Sequence, residues 1–105
     1  MNKRTYKKLY KICKDDFGKT IYAGDTVELY MPHELRTTWE SKVFWNMLDG
    51  AWVNAHPSHI KMDLGKDRDL RDYLNQKATP FYNGDDEIVE WKKGYCKKVK
   101  SVFHV

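Results

Sequence analysis

The sequence predicts a small, mainly β domain, with a compact barrel over residues 14–62 followed by a short helix and a β-hairpin over 63–105. Three observations carry this. Short runs in which apolar and polar residues alternate recur along the chain, the period-two mark of half-buried strands. Turn signals cut these runs at close spacing: Asp15-Asp16-Phe17-Gly18, Ala23-Gly24-Asp25, Asp49-Gly50, Asn83-Gly84 and Lys93-Gly94. Four Trp, seven Tyr and four Phe in 105 residues supply the apolar surface of one core, a content that disordered chains lack.

Tyr6 to Cys13 supports two readings. Tyr6, Leu9, Tyr10 and Cys13 fall at i, i+3, i+4 and i+7, the stripe of an amphipathic helix. The second half also reads as a strand that ends at the next turn, and a strand is expected there. Thr26 to Met31 is a half-buried strand, with Val27, Leu29 and Met31 inward and Pro32 ending it. His33 to Glu40 reads as a polar loop carrying Trp39.

Ser41–Leu48 and Ala51–His56 flank Asp49-Gly50, a pair suited to a two-residue hairpin loop. With that loop, Leu48 faces Ala51, Met47 faces Trp52 and Trp45 faces Asn54. Phe44, Asn46, Leu48, Ala51, Val53 and Ala55 then share the inner side. Val43, Trp45, Met47, Trp52, Asn54 and His56 share the outer one. A one-residue change in loop length would exchange the faces on one strand. Pro57-Ser58-His59 is a turn, and Ile60 and Met62 belong to a short strand. Lys66 to Gln76 is the helix, capped by Asp63 or Asp67, with Leu70, Tyr73 and Leu74 on its apolar face. Lys77 to Gly84 is a loop containing Pro80. Glu87–Trp91 and Tyr95–Phe103 form the closing hairpin, whose second strand is Lys-rich in the manner of an edge strand.

The segment Asp16-Phe17-Gly18-Lys19-Thr20-Ile21-Tyr22-Ala23-Gly24-Asp25-Thr26-Val27 resembles the D-x-G-K-x-I-Y-x-G-D-x-V opening of the YopX-type phage proteins. Its Gly-Asp-x-Val step is also similar to the turn into a core strand in SH3-like barrels, where Gly permits the turn, Asp caps it and Val enters the core. Gly50 to Ile60 is similar to the last strands of such barrels. The resemblance covers about twelve residues. It implies an SH3-like barrel in a phage or mobile-element protein and carries over no catalytic residue.

The net charge of +4 is unevenly placed. Residues 1–20 carry +5, 21–62 carry −2, 63–90 carry −4 and 91–105 carry +5. If the termini meet in space they form one basic patch able to neutralise phosphates; otherwise the lysines are a solvated surface. Cys13 and Cys96 lie outside any C-x-x-C pair, so two thiols in a reducing cytoplasmic setting are expected, at least one of them buried. No apolar stretch follows the basic start Met1 to Thr5, and none is long enough to span a bilayer. Neither a secretory signal nor a membrane partner is expected.

Catalytic and metal chemistry find little footing. There is no G-x-S-x-G, P-loop or G-x-G-x-x-G. His56-Pro57-Ser58-His59 supplies only one close pair for zinc, and the acidic clusters at 67–69 and 85–87 lack calcium-loop spacing. The expectation is a non-enzymatic binding module with no cofactor. Its ligand surface would be the aromatic hairpin face of Trp45, Trp52 and His56, joined by Tyr30 and flanked by Lys42 and Lys61, with Lys97 and Lys98 from the basic end. Stacked aromatics beside cations suit single-stranded nucleic acid. The alternative use is a protein-interaction or assembly adaptor, and a third is packing beneath residues 63–105.

Overall fold

The structure is a computed structural model, and it describes residues 1–31, 37–55, 60–64, 69–75, 79–82, 88–92 and 94–103. Helix α1 (Lys3–Leu9) leads into strand β1 (Lys11–Lys14), so the ambiguous first segment is a helix and then a strand. Asn2 starts the helix by accepting the amide of Thr5 at 2.8 Å. Strand β2 (Thr20–Tyr22) pairs with β1. Strands β3 (Thr26–Met31) and β4 (Thr37–Lys42) form the next antiparallel pair. Strands β5 (Phe44–Asn46), β6 (Gly50–Ala55) and β7 (Ile60–Asp63) make a three-stranded meander. Helix α2 (Asp69–Asn75) lies within the expected helical span. Strands β8 (Thr79–Tyr82) and β9 (Ile88–Lys92) pair with each other, and β10 (Tyr95–Lys100) returns to pair with β3.

The chain is therefore mainly β with a minor helical share, and its ladders form four small antiparallel sheets among the described residues. The core gathers Ile21, Val27, Leu29, Val43, Ala51, Val53, Leu64, Leu70, Leu74 and Cys96. Ile12, Cys13, Trp39 and Met62 pack against it from partly exposed positions. The alternation expected in β3 holds at Val27 and Leu29, both 0% exposed.

Four local expectations are corrected. Trp39 lies on β4, where Thr37, Trp39 and Ser41 alternate with Thr38, Glu40 and Lys42. Its indole Nε1 donates to the Asn54 carbonyl at 3.1 Å, and Asn54 N donates to Ser41 Oγ at 2.9 Å, so β4 is stitched to β6 by side chains. Second, Ser41–Leu48 is not one strand. Val43 N donates to Asp25 O at 2.7 Å and Val43 O accepts Gly24 N at 2.8 Å, so the Gly24-Asp25 turn claims the Val43 backbone and the chain changes sheets there.

Third, the hairpin loop is longer than two residues. Phe44 pairs with Trp52, Trp45 with Ala51 and Asn46 with Gly50. Asn46 Oδ1 accepts Asp49 N at 2.6 Å, so the turn begins at Asn46, and Gly50 takes the left-handed φ of +74°. The faces expected on the first strand are thereby exchanged. Val43 is buried, while Met47 and Leu48 stand 90% and 96% exposed at the tip. Fourth, residues 79–82 are a strand rather than a loop, and β9 turns back onto β8 instead of forward onto β10. The Lys-rich β10 is nonetheless an edge strand, in the order β10-β3-β4.

Candidate functional site

Pairing of β10 with β3 carries residues 101–103 to the turn between β2 and β3, and pairing of β1 with β2 carries α1 to the same place. Both basic ends of the chain meet there. Phe103 packs edge-on to Tyr22, with centroids 5.2 Å apart, and to Tyr6, 5.5 Å apart. Tyr6 lies 4.7 Å from Tyr10, and Tyr10 packs edge-on to Trp45 at 5.2 Å. The result is a continuous row of five rings: Tyr22, Phe103, Tyr6, Tyr10 and Trp45. Lys3 and Lys7, one helical turn apart on α1, hold their ammonium groups 5.4 and 5.2 Å from the Phe103 ring. Lys7 is also 5.9 Å from the Tyr22 ring. Helix α1 buries no residue and is tethered through Tyr6, whose hydroxyl donates to the Ala23 carbonyl. Burial and the nearby Asp25 and Tyr10 push the Tyr6 phenol up, so it stays a donor at neutral pH.

Two open clefts flank Tyr6. One, of about 350 Å³, is lined by Met1, Asn2, Lys3, Tyr6, Val102 and Phe103. The other, of about 380 Å³, lies between Tyr6, Tyr10, Lys42, Phe44 and Trp45. Each lining includes one lysine and no acidic residue.

Three aspartates from the first quarter of the chain hold the returning C-terminal strand. Asp25, 0% exposed, accepts Tyr22 N at 2.8 Å and Val102 N at 2.7 Å, and its Oδ2 lies 2.9 Å from Lys98 Nζ. Asp15 accepts Phe17 N, Lys19 N and Lys98 N at 2.9, 2.7 and 2.8 Å. Asp16 accepts Cys96 N at 2.7 Å and pairs with Arg71 of α2 at 2.7 Å. The amides of Cys96 and Lys98 are thus capped by carboxylates. Burial alone would raise the Asp15 pKa. The three N–H bonds and the Lys19 charge outweigh it and hold the group below its ordinary value.

The residues singled out from sequence are divided among separate places. Trp45 and Lys42 line the second cleft, and Trp45 is 40% exposed. Trp52 shares a face with Phe44, on which it stacks at 5.6 Å, so strand alternation puts it on the face opposite Trp45. Lys61 stands 4.0 Å over the Trp52 ring and also pairs with Asp49 at 2.7 Å. Tyr30 stacks on Tyr95 at 5.3 Å, and Phe17 packs edge-on to Tyr95 with Lys97 5.6 Å from the Phe17 ring. Tyr95 donates its hydroxyl to Glu28, and burial together with that bond pushes its pKa up to about 12. Lys98 is spent on the fold: 15% exposed, it bonds Asp25 and the Thr20 carbonyl and lies 5.2 Å from the Tyr22 ring. His56 lies outside the described residues, as do His33, His59, His104 and the acidic runs at 67–68 and 85–87.

Sequence reasoning missed Lys3, Lys7, Tyr6, Tyr10, Tyr22 and Phe103 as one group. The helical spacing of Tyr6 and Tyr10 was the available signal, and nothing local linked them to Tyr22 or Phe103. Neither cysteine is in a disulfide, and burial pushes the Cys96 thiol up to about 12. Among the described residues, no three His, Cys, Asp or Glu side chains are placed to hold a metal ion, and no helix is long and apolar enough to cross a membrane. No protein-family model matches the chain, and comparison with curated proteins and with solved structures gives no match.

Proposed function

We propose that this chain is a non-enzymatic binding module that holds nucleic acid where its basic ends meet. The observation that carries the reading is the placement of Lys3 and Lys7 above Phe103, the second ring in a row of five partly exposed rings. Cations beside aromatic faces serve both parts of a nucleotide, the phosphate by charge and the base by stacking. The phrase from Asp16 to Val27 spans the turn, β2 and the Gly24-Asp25 step. It supports reading residues 14–62 as an SH3-like arrangement of phage or mobile-element type. Two cysteines outside a disulfide suit a reducing, cytoplasmic setting.

The test is fluorescence anisotropy of labelled oligonucleotides at low and physiological salt. The reading expects affinity to fall steeply with salt, and a Lys3→Glu/Lys7→Glu double variant to flatten that slope by about one unit per lysine. Absence of binding at low salt removes the reading. The protein-adaptor alternative draws on the hairpin tip, where Met47 and Leu48 are 90% and 96% exposed. It expects partner binding that salt leaves nearly unchanged and that Leu48→Ser weakens.

A further inference from the structure

We infer that the ligand is single-stranded, and that two successive unstacked bases occupy the two clefts on either side of Tyr6 while Lys3, Lys7 and Lys42 meet the phosphates. The inference rests on the nucleic-acid reading above and adds the strandedness and the place of each base. Ring geometry is the first argument. Tyr6 and Phe103 meet at 89°, Tyr10 and Trp45 at 77°, Tyr22 and Phe103 at 71°, and Tyr6 and Tyr10 at 44°. No two neighbours in the row lie parallel, so each edge-on contact covers the face of one of its two rings only, and Trp45, 40% exposed at the end of the row away from the lysines over Phe103, keeps ring surface open to a planar base. A duplex offers only base edges and backbone, whereas an unpaired base offers its face.

Size and charge point the same way. The clefts of about 350 and 380 Å³ sit at the small end of the range for small-molecule sites, enough for one base each. They share Tyr6 as a common wall, which suits neighbouring nucleotides. Each has a lysine and no acid in its lining, so a phosphate meets attraction and no fixed repulsion there. The Tyr6 hydroxyl is committed to the Ala23 carbonyl, which leaves stacking rather than that hydroxyl to hold the base, and stacking tolerates any base.

The experiment compares three labelled probes of equal length, about 10 nucleotides, within the usual site size of single-strand binders. These are an oligothymidylate, the same backbone with every base removed, and a duplex. The wild-type chain should bind the oligothymidylate more tightly than the abasic strand, by about 5-fold for one stacked base and roughly 25-fold or more for two, and more tightly than the duplex at physiological salt. Trp45→Ala and Tyr10→Leu should each lower oligothymidylate affinity by about 5-fold or more and leave abasic binding unchanged. Equal affinity for the abasic strand, or a preference for the duplex, overturns the inference and leaves the broader reading standing. So does an oligothymidylate preference that survives both variants, because the bases then sit elsewhere. No binding to any probe at low salt overturns both. The abasic comparison uses the unmodified chain, so a variant that fails to fold does not cloud the result.

Discussion

Replacing Asp25 tests what holds the two ends of this chain together. Its carboxylate is 0% exposed and receives two backbone amides, from Tyr22 and Val102, together with the Lys98 ammonium. Asp25→Ala takes an acceptor from all three donors. Removing one partner of a buried pair costs about 3–5 kcal/mol, and each buried amide left without an acceptor costs about 1–3 kcal/mol. The terms overlap, since Lys98 keeps its bond to Thr20 O and water can enter the space left behind. A loss of at least about 4 kcal/mol follows, against a total of about 5–15 kcal/mol for a domain of this length. Asp25→Asn keeps the shape and one acceptor oxygen; that oxygen is drawn to the Oδ2 side, where Tyr22 N and Lys98 both point, which leaves the amide nitrogen facing the Val102 N–H, and the change should cost about 2–3 kcal/mol. Lys98→Met leaves the carboxylate with its two amide bonds and should cost less than Asp25→Ala. Urea unfolding followed by tryptophan fluorescence gives the stabilities, and hydrogen exchange at Val102 gives the local effect. A cost below about 1 kcal/mol for Asp25→Ala, or a Val102 amide equally protected in Asp25→Asn, would refute the reasoning. Because Val102 precedes Phe103, the Asn variant should also weaken oligonucleotide binding at temperatures where it remains folded.

Three further outcomes are expected. The Asp15 carboxyl has a pKa below its ordinary 3.8 in the folded chain, so its contribution is fully present above that value and is lost as pH falls below it; Asp15→Asn should flatten the acid limb of a stability-versus-pH curve. Cys96 is 1% exposed with its thiol raised to about 12, so a thiol reagent at pH 8 should label half-buried Cys13 first and reach Cys96 only on unfolding; prompt labelling of Cys96 in the native chain would contradict its placement. Gly24 has a φ of +89°, and a Cβ there would lie 2.9 Å from Val102 Cγ2, so Gly24→Ala should destabilise by about 1–3 kcal/mol in urea unfolding and loosen the same C-terminal turn.

The local features were legible where local rules apply. Alternation in residues 26–31 specified β3, and the spacing of Leu70 and Leu74 specified the buried face of α2. The Gly24-Asp25 step gave both the turn and a capping carboxylate. The Asp49-Gly50 pair located the hairpin but not its register. That depended on Asn46, whose side chain takes the Asp49 amide and lengthens the loop. Strand period is two, so the resulting odd shift sent Trp45 and Trp52 to opposite faces and dissolved the platform expected from them. Polar content hid β4 and Pro80 hid β8, whose strand character is set by pairing with β3 and with β9.

Composition and pattern by themselves determined a small mainly β chain with one short internal helix, two basic ends and an acidic middle. Tertiary structure alone decided that those ends meet. The choice rests on contacts across about 80 residues of sequence, in which Asp15, Asp16 and Asp25 accept the amides of Lys98, Cys96 and Val102. A carboxylate in a turn reads locally as a cap, and nothing in its neighbours names the distant amide it will also hold. The pairing is selected by the cost of leaving that buried amide without an acceptor, a quantity that exists only once the chain has folded.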